Sequence, residues 1–157
     1  MKIQLLNDAD DTVRRAIMAP LLEFNAAQAG PSGQQSLALT VQDGEGRICG
    51  GLWAATAYGW LYTQLLALPA EARGRGLGRE LMLAAEAEAL RRGCRHAWVD
   101  TQFGARGFYE RLGYQVFGEL PDYPPGFTRS YLRKDLAGAS PSSVGLASSG
   151  AAGQCAR

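Results

Sequence analysis

One histidine, His96, and three widely spaced cysteines, Cys49, Cys94 and Cys155, are all that 157 residues offer to a soft metal or a disulfide. Neither a zinc site nor a disulfide framework can be assembled from that set, since each needs ligands or thiols at matched spacings. No metal is expected, and the sparse thiols fit a reducing cytoplasm. An excess of one charge is missing too: 16 Lys and Arg stand against 15 Asp and Glu, for a formal net charge of +1. A general nucleic-acid binder would carry a basic face or tail, so no nucleic-acid partner is expected. Long apolar runs are also lacking. The start, Met1 to Asp8, meets acid before any run of signal-peptide length, and no later stretch approaches about 18 uncharged apolar residues. The reading is a protein without membrane association, resident in the cytoplasm.

What is present suffices for one domain that buries a core unaided. Residues 2–6 read as an opening strand. Asp10, Asp11 and Thr12 supply helix-start chemistry for a helix to about Ala29, which Pro20 is expected to break or kink. Runs 36–42, 48–58 and 61–68 alternate as strands, the first two joined by Asp43-Gly44-Glu45-Gly46, so an antiparallel meander follows. Between about Leu77 and Arg92, Gly78, Leu81, Met82, Ala85 and Ala89 recur at helical spacing. A strand at 96–100, with Ala97, Trp98 and Val99 as its buried part, precedes a short helix that Gly113 stops. There Ala105, Phe108 and Leu112 share one face. Two closing strands, 114–120 and 128–132, flank the loop Asp122-Tyr123-Pro124-Pro125-Gly126. The fold class is therefore α/β, a mixed and mostly antiparallel central sheet with flanking helices. Residues 1–136 form the domain. Residues 137–157, mostly Ala, Gly and Ser, hold too little apolar surface to order themselves and read as a disordered tail.

The chemistry concentrates at Arg73-Gly74-Arg75-Gly76-Leu77-Gly78. Alternate glycines let successive backbone N–H groups face one anion, and the helix behind them adds its positive end. With Arg73, Arg75 and Arg79 around the same point, the segment suits a pyrophosphate. A nucleotide-triphosphate loop would need Gly-Lys-Ser/Thr, and no lysine or hydroxyl follows these glycines. A dinucleotide fingerprint fits poorly: its third glycine would fall on Arg79, and five residues separate the strand from Gly74.

The stretch Leu65 to Gly78 resembles the acetyl-CoA signature of the GNAT family of N-acetyltransferases, Arg/Gln-x-x-Gly-x-Gly/Ala. Ala105-Arg106-Gly107-Phe108-Tyr109-Glu110-Arg111-Leu112-Gly113-Tyr114 is similar to that family's second block, Ala-x-x-Phe-Tyr-x-x-x-Gly-Phe/Tyr. The resemblance spans about residues 2–136. It implies an acyl-CoA N-acyltransferase fold in which strand 61–68 splays from strand 96–100 to admit the pantetheine arm of acetyl-CoA. Leu66 and Leu68 would hold the acetyl and pantetheine portion through their main chain, and Arg73, Gly74, Arg75, Gly76, Leu77 and Gly78 the pyrophosphate. Gln102 stands where the family often has Asn beside the cofactor arm. Tyr109 matches the residue that donates a proton to the leaving sulfur. Gln64 stands near the family's usual acid, and an amide accepts no proton at neutral pH. Asp100, Glu119 and Asp122 remain alternatives for substrate binding or a water-relayed base.

The implied activity is acetyl transfer from acetyl-CoA to a primary amine. Glu23, Phe24, Trp53, Tyr58, Trp60, Tyr123 and Phe127 fall in segments that build the acceptor site in this family, and aromatics with a few acids suit a cationic amine. A small molecule of antibiotic or polyamine type is the favoured acceptor. Protein or peptide acetylation and a non-catalytic CoA-binding module stand as alternatives, and a homodimer stays open.

Overall fold

The structure, a computed structural model, describes residues 1–136, so the tail expectation lies outside the described residues. Its first element is α1 (Asp11–Ala29), whose N-cap Asp10 accepts from the backbone N–H groups of Thr12 and Val13. α1 runs through Pro20 as one element, against the expected break, and buries none of its residues. The expected opening strand is absent: residues 1–6 have no regular structure and lie exposed. Alternation at Ile3 and Leu5 is a strand signal only where a neighbouring strand takes up the backbone N–H and C=O groups. No strand among the described residues pairs with this segment.

β1 (Gln35–Gln42), β2 (Ile48–Ala57) and β3 (Trp60–Ala67) form the expected meander. Asp43 shapes the first turn, its carboxylate accepting from the N–H groups of Glu45 and Arg47 at 2.9 and 3.0 Å. After α2 (Leu77–Arg91), β4 (His96–Thr101) lies parallel to β3. α3 (Arg106–Arg111), β5 (Gln115–Pro121) and β6 (Thr128–Asp135) complete the chain, giving the strand order β1-β2-β3-β4-β6-β5 with every pair antiparallel except β3/β4.

α2 covers one face of the sheet. Leu61, Met82, Ala85, Ala89, Ala97, Val99 and Leu132 are almost wholly buried between them, and each large side chain among these contributes about 1.5–3 kcal/mol. Trp98 departs from the expectation. In a strand, alternate residues face opposite ways, so Ala97 and Val99 enter the core while Trp98 faces the other side and stacks on Tyr62, ring centroids 3.7 Å apart. Ala105, expected to share a helix face with Phe108 and Leu112, is exposed at the N-cap of α3.

Glu86 of α2 is buried among these apolar groups and forms an ion pair with Lys134 of β6, Nζ to Oε2 2.6 Å. Its Oε1 and the Tyr114 hydroxyl are both buried without partners among the described residues. Burial and the charge of Glu86 push the Tyr114 phenol far above its ordinary range. Removing one member of a buried pair strands the other charge, a loss of about 3 kcal/mol for a lysine that keeps some contact with water. Glu86→Ala is accordingly expected to lower Tm by roughly 10 °C in thermal unfolding. A change within 2 °C would show that the pair is neutral to the fold.

Candidate active site

β3 and β4 stay paired only from Trp60 opposite His96 to Thr63 opposite Val99. Beyond that point β3 continues to Ala67 beside β2, while Asp100 and Thr101 pair with β6. The two parallel strands therefore open into a notch. A register irregularity at Trp53/Ala54 lies beside it and shifts the β3 residues facing β2.

Two cavities meet at this notch. The larger, about 450 Å³, is lined by Leu66, Leu68, Arg73, Gly74, Gly76, Leu77 and Gly78, with Arg79, Phe108 and Tyr109 among the remaining walls. The smaller, about 240 Å³, is lined by Thr63, Gln64, Leu66, Asp100, Gln102 and Arg129, with Tyr109 again present. Leu66 and Tyr109 are thus common to both. Of the residues named from the sequence for the cofactor and the chemistry, Gln64, Leu66, Leu68, Arg73, Gly74, Gly76, Leu77, Gly78, Asp100, Gln102 and Tyr109 line these two cavities, whereas Arg75 is exposed and lines neither.

Local geometry explains the larger cavity. Gly74 and Gly76 have φ of 72° and 85°, which a residue with Cβ adopts only at a cost, and Gly76 caps α2 in this conformation. The ladder of α2 begins with Glu80 N–H donating to Gly76 O at 3.1 Å, so the amides of residues 77–79 have no intrahelical acceptor. Those amides and the Arg79 side chain form a positive end suited to an anion. Arg73 lines this cavity as well, and its Nε donates to the Leu68 carbonyl at 2.9 Å, tying the loop to the end of β3.

Tyr109 of α3 is 7% exposed and packs edge-on against Phe108 and Tyr114, centroids 5.0 and 6.0 Å away. Burial first, and the negative charge of Asp100 second, push its phenol up to about 12. The hydroxyl therefore stays protonated at neutral pH and can donate a hydrogen bond. Asp100 is itself held by the Arg129 guanidinium and by the Tyr62 hydroxyl, which donates to it at 3.1 Å. The carboxylate raises the Tyr62 phenol, after burial, and raises Arg129 through its hydrogen bond. Arg129 also lies over the Tyr123 ring at 5.0 Å, and Phe103 meets Phe127 edge-on at 5.0 Å.

The other acceptor-site residues named from the sequence are dispersed. Glu23 and Phe24 lie on the exposed α1. Tyr58 is at the β2–β3 turn, Trp53 is exposed on β2, and Trp60 stacks on His96 at 4.6 Å beside an apolar hollow with Trp98, Phe117 and Tyr131. Glu119 accepts from Arg106 and Ser130, and Asp122 accepts from the Gly126 N–H. Sequence reasoning missed Thr63 and Arg129. Thr63 sits at a buried position of strand alternation and reads as core; Arg129 reaches Asp100 across 29 residues of chain. A hydroxyl at an inward strand position was the only local signal for the first, and none marked the second.

A splayed parallel pair opening onto a glycine-rich helix start, with a buried phenol lining both cavities, is the arrangement that the resemblance to the GNAT family implies. Comparison with known proteins agrees. The model of the acetyltransferase (GNAT) family matches residues 7–114. The acetyltransferase Atu2258 of Agrobacterium fabrum is 38% identical over 135 residues, which cover 85% of this chain and 98% of that protein. Blasticidin-S acetyltransferase of Streptomyces morookaense is 37% identical over 139 residues, covering 86% and 96%. The crystal structure of an acetyltransferase from Agrobacterium tumefaciens superposes with a TM-score of 0.82 at 38% identity, covering 86% of this chain and 99% of that one. The chain belongs to the acetyltransferase (GNAT) family and is an acetyltransferase. No helix among the described residues is long and apolar enough to cross a membrane.

Proposed function

We propose that the protein transfers the acetyl group of acetyl-CoA to a primary amine of a small molecule. The observation that carries this reading is that two cavities share Tyr109 as a wall, one lined by the glycines of the positive helix start and the other largely by polar side chains. The first fits acetyl-CoA: its glycines leave room at the helix start, and the unpartnered amides of residues 77–79 match a pyrophosphate. Arg73, Gly74, Gly76, Leu77, Gly78 and Arg79 would hold that group, with Leu66 and Leu68 beside the pantetheine arm and Gln102 in the adjoining smaller cavity. When bound, acetyl-CoA supplies an activated acyl carbonyl. Tyr109 hydrogen-bonds the sulfur as negative charge develops there. Burial raises this phenol further above an ordinary thiol, so we assign Tyr109 the donation of a hydrogen bond to the departing sulfur in preference to complete proton transfer.

The smaller cavity, about 240 Å³, suits one amine on a compact carrier better than an extended peptide. Relationship to blasticidin-S acetyltransferase points the same way, toward amine-bearing antibiotics. The test is acetyl-CoA-dependent thiol release across blasticidin S, aminoglycosides, polyamines and peptides. Turnover concentrated in the small amines supports the reading; preference for peptides overturns it. Binding has its own check. Saturating acetyl-CoA is expected to raise Tm more than NAD or ATP does, because a ligand bound only by the native state stabilises it by mass action. A larger shift with NAD would return the glycine loop to the dinucleotide reading.

A further inference from the structure

The sheet has two apolar faces, and α2 covers one of them. On the other, Trp53, Trp98 and Tyr131 each stand between two buried neighbours along their strands and so point away from the core. Tyr62 stacks on Trp98, Phe117 meets Tyr131 at 6.3 Å between ring centroids, and Leu65 lies opposite Trp53 in the ladder. This face is open: Trp53, Leu65 and Phe117 are all exposed. α1 carries a matching surface. Val13, Ile17, Leu21 and Phe24 fall in one stripe about 80° wide at the helical period, and the last three are each more than half exposed. A 19-residue helix containing Pro20 is marginal in water unless such a stripe is covered.

We infer that α1 of one copy lies across the aromatic face of a second copy, and that the two chains exchange these helices about a two-fold axis. The linker keeps α1 off its own sheet. Gly30 N–H donates to Ala26 O and closes the helix, and the Ser32 carbonyl accepts from the Tyr58 N–H at 2.9 Å, pinning the linker to the β2–β3 turn. Held there, α1 buries none of its residues. Each chain thus offers one stripe and one open face, and a two-fold exchange fills both with nothing left over. The dimensions agree. At about 1.5 Å per residue α1 is about 28 Å long, enough to cross the four strand spacings, about 19 Å, from Trp53 on β2 to Phe117 on β5. The open surface of Ile17, Leu21 and Phe24 with that of Trp53, Leu65 and Phe117 is about 800 Å² per copy, the area a stable dimer of standard size needs. A formal net charge of +1 sets little repulsion between copies.

Sedimentation equilibrium of the full chain at micromolar concentrations tests this, with wild type expected as a dimer. Ile17→Glu combined with Leu21→Glu puts two carboxylates into the stripe and should raise the dissociation constant by about 100-fold or more. Trp53→Glu combined with Phe117→Glu, at the two ends of the crossing, should do the same from the receiving side. Cooperative thermal unfolding and acetyl-CoA binding check that each variant is folded, since all four side chains are exposed and none lines the larger cavity. A wild type that stays monomeric overturns the inference, and a lowered Tm in the α1 variant would then assign the stripe to its own sheet. A dimer that survives the α1 variant uses another surface. One broken by the α1 variant but not by the sheet variant packs helix on helix, and either result also overturns it.

Discussion

Gly78→Glu is expected to lose acetyl-CoA affinity by 100-fold or more while keeping a native circular dichroism spectrum. A Cβ at position 78 would stand 3.4 Å from Phe108 Cζ and 3.8 Å from Leu68 Cδ1, a contact the site can absorb. Everything beyond that Cβ must enter the larger cavity, which Gly78, Phe108 and Leu68 line together. A carboxylate there would also cancel the positive end of α2 where a pyrophosphate would sit. Alanine and glutamate should therefore separate sharply, because Gly78 lies within α2 and its φ is not positive. Gly78→Ala should bind within about tenfold of wild type. Gly76 behaves by another rule: its φ of 85° makes even alanine strained, by about 1–3 kcal/mol, although no other residue's atoms lie closer than 4.0 Å to the added carbon. Gly76→Ala should thus register in Tm as well as in affinity. Calorimetric titration with acetyl-CoA, beside thermal unfolding, reads all three. A folded Gly78→Glu protein with unchanged affinity would remove the glycine loop from the cosubstrate site.

How much of this was legible in the sequence depended on the range of the forces involved. The α2 face and the meander follow from periodicity, a local property that tertiary context reinforced. The glycine loop was visible because conformational freedom and positive charge are written in consecutive residues. The opening strand was misread because alternation at Ile3 and Leu5 reports only a capacity to pair, and no strand among the described residues pairs with that segment. Trp98 was assigned to the core on hydrophobicity, while alternation places it opposite Ala97 and Val99. At the site, Asp100 could be named but its state could not. Arg129 and Tyr62, which hold it, come from β6 and β3, and only the sheet order brings them together. Buried Glu86 carried no helical-pattern signal, since its partner Lys134 lies 48 residues away.

The second large effect concerns chemistry. Tyr109→Phe keeps the ring that packs on Phe108 and Tyr114 and removes only the hydroxyl, so Tm and acetyl-CoA affinity should stay close to wild type. Turnover is expected to fall by about 10- to 1000-fold, the range for one positioned donor. The pH profile tests the same assignment independently. A pKa raised above the ordinary phenol value means that the neutral, donating form persists to higher pH. Burial and Asp100 hold Tyr109 at about 12, so wild-type activity should show no alkaline decline from this group below roughly pH 11. Any stabilisation linked to the neutral phenol is fully present below about pH 10 and lost as pH rises through about 12. Steady-state turnover across pH, measured with the best amine and beside direct acetyl-CoA binding, reads both. A loss of rate near pH 9 that disappears in Tyr109→Phe would mean the phenol ionises in its ordinary range and the buried-donor account is wrong. Unchanged turnover with binding intact would make Tyr109 a packing residue and leave the sulfur to another donor.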